Sequence, residues 1–200
     1  LKMCLKFLFV LFTKELNMYT VAIVVGSLRK ESINKKLARA LEKIGNPNLK
    51  FKTIPIDDIP LYTGDLESNL QQPVVQFKQA SADADAVLFV TPEYNRSIPG
   101  VLKNVLDWGS RPPGKSVWPG KPAAMTGTSG GMTGTSVAQA HLRSVLGMLG
   151  MAVTVQPEAY ILDRPGLIAE DGKVGDEGTE KFLRGFLASF ADWIARISPR

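Results

Sequence analysis

Two hundred residues, 44% of them hydrophobic and 22% charged, make a chain of ordinary globular composition, long enough for one well-buried domain and short for two. The net charge of +5 is mildly basic, and without a Lys/Arg-rich face it excludes a nucleic-acid binder and leaves small anionic ligands as the partners of the basic side chains. A single cysteine, Cys4, and a single histidine, His141, exclude a disulfide framework and a Cys/His metal centre.

Residues 1–17 carry three lysines and the apolar run Phe7-Leu8-Phe9-Val10-Leu11-Phe12. This resembles a short signal peptide but has no small-x-small cleavage site, and it falls short of the ~20 apolar residues a membrane-spanning helix needs. Met18 stands just before the first convincing strand. Residues 1–17 are therefore expected to be an upstream extension without stable membrane association, with an interfacial anchor as the alternative. Residues 18–200 are expected to form one domain.

Tyr19–Val25 is short, β-branched and apolar, as a strand buried on both faces requires. It runs into Gly26-Ser27-Leu28-Arg29-Lys30-Glu31-Ser32-Ile33-Asn34, after which Leu37, Ala40, Leu41 and Ile44 mark a helix stopped by Gly45. Phe51–Ile56 reads as a second strand, at an edge because it carries Pro55, and a helix follows near Pro73–Ala82. Ala86–Val90 is a third strand ending in Thr91-Pro92-Glu93-Tyr94-Asn95. Pro99-Gly100 then opens a helix through Trp108. Pro122–Thr126 is a fourth strand, followed by the glycine-rich Gly127–Gly134 and a helix from Ser136 to Leu149. Met151–Val155 makes a fifth strand, and a polar stretch, Asp163–Gly178, precedes a last amphipathic helix over Phe182–Ile197.

Alternating strands and helices predict an α/β, doubly wound five-stranded parallel sheet with helices on both faces. If its order is 2-1-3-4-5, the loops after strands one, three and four converge beyond the carboxyl ends of the strands, where such sheets bind ligands.

The first loop fits neither the P-loop nor the dinucleotide glycine pattern, since Gly26 stands alone and hydroxyls replace the other glycines. Ser27, Ser32 and Asn34 can donate to a phosphate while Arg29 balances its charge; the competing reading makes Ser32 a helix N-cap and Arg29 a solvated side chain. Pro92-Glu93-Tyr94-Asn95 can border a flat heteroaromatic ring or be an ordinary turn. Gly127-Thr128-Ser129-Gly130-Gly131 matches the G-x-S-x-G nucleophile pattern, but His141 is twelve residues from Ser129, ~18 Å along a helix, and no triad can be built. The loop reads instead as backbone N–H groups and hydroxyls facing a ligand, and His141 as a helix-surface or interface residue.

Residues 26–34, the run from Thr91 through Pro99-Gly100 to Trp108, and the Thr128-Ser129-Gly130-Gly131 loop together resemble the NADPH-dependent FMN reductase family, especially its bacterial chromate-reducing quinone reductases and azoreductases. The resemblance covers Met18 to about Ile197. It implies a flavodoxin-like fold and non-covalent FMN, with Ser27, Arg29, Ser32, Ile33 and Asn34 on the phosphate. Pro92, Glu93, Tyr94 and Asn95 would border the ring, and Thr128, Ser129 and Gly130 would close over it. No metal and no protein acid–base pair is implied: NADPH or NADH passes hydride to flavin N5, and a quinone, azo compound, chromate, ferric chelate or free flavin takes the electrons in a ping-pong cycle. Cytoplasmic homodimers or homotetramers are implied as well. A flavodoxin-type electron carrier is the alternative, although such carriers are typically acidic. Arg96 departs from the aromatic or small polar residue that similar proteins often have.

Overall fold

The computed structural model describes residues 18–198; the N-terminal extension read from residues 1–17 lies outside them. Among the described residues, β1 (Tyr19–Val25), β2 (Leu49–Thr53), β3 (Ala86–Val90), β4 (Pro122–Ser129) and β5 (Ala152–Val153) form a parallel sheet of order β2-β1-β3-β4-β5, with β6 (Tyr160–Leu162) also parallel to β4. Helices α1 (Ile33–Ile44), α2 (Gln72–Asp83), α3 (Gly100–Ser110), α4 (Ser136–Met148) and α5 (Glu177–Ile197) cover it.

Alternation along the strands builds the two halves of the core. Val21, Ile23 and Val25 of β1 face α1 and α5 through Leu37, Leu41, Leu187 and Phe190. Ala22 and Val24 face α2, α3 and α4 through Phe77, Leu106, Leu142 and Leu146. Strands flanked on both sides in this way have no polar face, hence the unbroken apolar runs of β1 and β3. Each fully buried large side chain contributes about 1.5–3 kcal/mol.

Three expectations are corrected. The second strand spans Leu49–Thr53, two residues earlier than its composition suggests: ladder pairing with β1 ends at Thr53 opposite Ile23, just before Pro55, which has no N–H to donate. The fifth position in the sheet holds two short strands. β5 pairs with the start of β4 at Pro122 and Ala123, and β6 with its end at Gly127, Thr128 and Ser129, so residues 154–159 make an excursion and six strands replace five. α5 starts at Glu177 instead of Phe182, because Asp176 caps it: its carboxylate accepts the Thr179 N–H at 2.7 Å.

Candidate functional site

The carboxyl ends of β1, β3 and β4 are laced together. The Gly26 N–H donates to the Val90 carbonyl at 2.9 Å and the Thr91 N–H to the Thr126 carbonyl at 2.9 Å. The chain passes so closely here that a Cβ on Gly127 would sit 2.0 Å from the Thr91 carbonyl oxygen and 2.6 Å from Thr135 Oγ1, so only glycine fits. The three loops singled out in the sequence thus meet at one edge of the sheet.

In the first loop, Ser32 is the N-cap of α1, its Oγ accepting the Lys35 N–H at 3.4 Å. The cap leaves the serine's own O–H proton uncommitted, since a hydroxyl both donates and accepts, and the N–H groups of Ile33 and Asn34 have no intrahelical acceptor. Ser27 is buried. Arg29 is exposed, and no described residue takes a hydrogen bond or ion pair from its guanidinium.

Asn34 reaches across to the third loop. Its Nδ2 donates to the Thr128 carbonyl at 2.9 Å, and its Oδ1 accepts the Thr128 N–H at 3.0 Å. One side-chain N–H and the backbone N–H are left for an anion. Ser129 folds the glycine-rich turn on itself, donating to the Gly134 carbonyl at 2.6 Å and accepting the Gly131 N–H at 3.2 Å, while its own carbonyl accepts from Asp163 at 2.8 Å. Gly130 lies exposed at the tip of this loop. Thr128 Oγ1 is buried and has no hydrogen-bond partner among the described residues. A buried donor of this kind costs about 1–3 kcal/mol unless something pairs with it.

In the second loop, Tyr94 and Ser97 exchange backbone hydrogen bonds at 2.9 and 3.0 Å around a two-residue turn. Asn95 and Arg96 have φ values of 49° and 63°. Such turns favour Asn then Gly; an arginine in the left-handed region costs about 1–2 kcal/mol. Tyr94 is half exposed, a ring presented at the rim, and Pro92 fixes the backbone leaving Thr91.

Sequence reasoning missed two features. Glu93 turns to α4: its Oε2 accepts the N–H groups of Val137 and Ala138 at 3.1 and 3.0 Å. The other, the Thr126–Gln139–Ala159 cluster, holds the start of β6: the Ala159 carbonyl accepts from Thr126 Oγ1 at 2.9 Å and Gln139 Nε2 at 3.0 Å. Side-chain bonds between distant elements leave no periodic signal. His141 is exposed on α4, with Nδ1 3.1 Å from Ser97 Oγ.

A parallel sheet of this order, with hydroxyl-rich and glycine-rich loops meeting at its carboxyl edge, defines a flavodoxin-like α/β protein. Residues 19–163 match the NADPH-dependent FMN reductase family, and the chain belongs to that family. A 2-hydroxy-1,4-benzoquinone reductase of Burkholderia sp is 48% identical over 87% of this chain and 95% of its own. A quinone reductase of Pseudomonas putida is 46% identical over 88% of this chain and 95% of its own. Among solved structures, FerB of Paracoccus denitrificans, a flavoenzyme NAD(P)H:(acceptor) oxidoreductase, superposes with a TM-score of 0.86 at 46% identity, covering 90% of this chain and 98% of that one. The cofactor is FMN and the reductant a reduced nicotinamide.

The residues present fit that cofactor. Arg29 and the first-turn amides suit a phosphate dianion, and Thr128 Oγ1 is a buried donor in need of an acceptor. Among the described residues no helix is long and apolar enough to cross a membrane.

Proposed function

We propose that this chain is an FMN-dependent NAD(P)H oxidoreductase whose terminal acceptors are quinones. The observation that carries this is the meeting of three loops at one sheet edge with donors uncommitted in the first and third: the Arg29 guanidinium, the Ser32 hydroxyl proton and Thr128 Oγ1. The names of the relatives, quinone reductase and 2-hydroxy-1,4-benzoquinone reductase, supply the acceptor class.

When bound, FMN would supply the redox chemistry, a ping-pong transfer of hydride equivalents from NADPH or NADH to an acceptor. The chain binds, orients and tunes. Ser27, Ser32 and Arg29, with the amides of Ile33 and Asn34, hold the phosphate; Pro92, Glu93, Tyr94 and Asn95 border the ring; Thr128, Ser129 and Gly130 close over the ring and its ribityl side. Azo compounds, chromate, ferric chelates and free flavin are further acceptors, because a reduced flavin open to solvent discriminates weakly. Membership of a reductase family favours this reading over a flavodoxin-type carrier. The same proposal has the enzyme work in the cytoplasm as a homodimer or homotetramer, with residues 18–200 as its one domain.

The test is a steady-state panel pairing each nicotinamide with benzoquinone, azo, chromate and FMN acceptors. Yellow protein that oxidises a reduced nicotinamide with benzoquinone is the expected result. Colourless protein that takes up no FMN, or yellow protein inert to both nicotinamides, overturns the proposal.

A further inference from the structure

Glu93 stands where two of the cleft loops meet the start of a helix. Its Oε2 receives two of the N–H groups that α4 leaves open at its N-terminus, an end that carries roughly half a positive elementary charge. Its Oε1 lies 3.3 Å from Arg96 Nη1, and the same Nη1 donates to Thr133 Oγ1 at 3.1 Å. The carboxylate side chain is 9% exposed and the arginine side chain 67%. A nearly buried negative charge is thus set against a helix terminus and a solvent-facing guanidinium. The left-handed backbone at Asn95 and Arg96 brings the arginine round to bridge the second loop to the third.

We propose that Glu93 and Arg96 are opposed positioning residues that set the electron affinity of the bound flavin, Glu93 lowering it and Arg96 raising it. This rests on the reading that residues 92–95 and 128–130 hold the ring. Taking up two electrons and one proton gives the neutral oxidised ring one net negative charge. A positive field therefore favours the reduced form and a negative field opposes it. With Glu93 ionised, the positive end of α4 and the Arg96 charge are largely cancelled at the loops; without its charge, both act on the ring. Glu93 reaches the chemistry through field and loop position, a role consistent with its side chain being spent on α4.

The experiment measures the midpoint potential of the FMN-loaded protein by equilibration with reference dyes, for the native chain, Glu93→Gln, Arg96→Gln and the double variant. Glu93→Gln keeps a carbonyl oxygen able to accept the Val137 and Ala138 N–H groups while giving up the acceptor that faces Arg96, and Arg96→Gln keeps an amide N–H able to donate. Glu93→Gln is expected to raise the potential by about 30 mV, a tenfold change in the ratio of reduced to oxidised flavin for a two-electron couple. Arg96→Gln is expected to lower it by less, and its shift shrinks in 1 M salt, where the screening length falls to about 3 Å. The double variant lies between the two. Loss of a purely structural contact would move both variants the same way or neither, and either result overturns the proposal. If Glu93→Gln fails to retain FMN, Arg96→Gln decides alone: an unchanged or raised potential refutes it. Failure of the underlying reading is seen separately, as a native chain that takes up no FMN.

Discussion

Asn34 and Thr128, 94 positions apart, are joined by two hydrogen bonds: the side-chain amide of the first pairs with both backbone groups of the second, at 2.9 and 3.0 Å. The helix that starts at the first loop is thereby fastened to the end of β4, and both groups are buried. Replacing Asn34 with alanine strands a buried N–H and a buried C=O. The expected loss is about 2–6 kcal/mol of stability, at 1–3 kcal/mol for each of the two unpaired groups, read as a lower denaturation midpoint with unchanged m-value. A midpoint within experimental error of the native one would mean that water replaces the bridge without penalty.

Thr128→Val separates folding from binding. The hydroxyl has no partner among the described residues, so the apoprotein is expected to be as stable as the native chain or slightly more so, while FMN affinity falls about tenfold, a loss of ~1.4 kcal/mol within the range for one hydrogen bond to a charged or polar acceptor. Titration of both apoproteins with FMN, followed by flavin fluorescence, measures this. Equal affinities would remove Thr128 Oγ1 from the site.

Arg29→Ala is expected to weaken FMN binding by about 1–3 kcal/mol, the scale of hydrogen bonds to a charged group, and to leave the melting temperature of the apoprotein unchanged, since no described residue pairs with the guanidinium. Riboflavin, which lacks the phosphate, should bind the variant and the native chain alike. A parallel loss for riboflavin would assign the arginine to the ring or ribityl chain.

At the start of α5 the expectation concerns pH. The Thr179 side-chain and backbone hydrogen bonds hold the Asp176 carboxyl below its ordinary value of 3.8. The unfolded chain therefore takes up the proton first on acidification. The cap's contribution is complete above pH 3.8 and is lost as pH falls through the lower folded value. Asp176→Asn should show a shallower loss of stability across this window, and the two proteins should converge below it. Parallel acid-unfolding curves would show that the carboxylate charge contributes nothing to the cap.

Much of this architecture is legible in the chain itself. β1 and β3 are apolar throughout because both faces are covered, and α1 announces itself by Leu37, Ala40, Leu41 and Ile44 between the Ser32 cap and Gly45, whose φ is 64°. The alternation of these elements implies a parallel sheet, and the order β2-β1-β3-β4-β5 that the structure shows places the loops after β1, β3 and β4 at one edge. β6 was not legible: three residues are too few for a period, and Tyr160–Leu162 become a strand only because β4 continues through Gly127, Thr128 and Ser129.

The sequence by itself determined the class of fold, the three loops and their stock of hydroxyls, amides and glycines, because local periodicity and residue chemistry are written along the chain. Tertiary structure decided how those groups are spent. Asn34 bridges to Thr128, Glu93 caps a helix that begins more than forty residues later, and the hydroxyl of Thr128 is buried without a partner among the described residues. Each depends on a through-space meeting of a side chain with a distant backbone, where the cost of an unpaired buried polar group selects the partner and no sequence spacing records it.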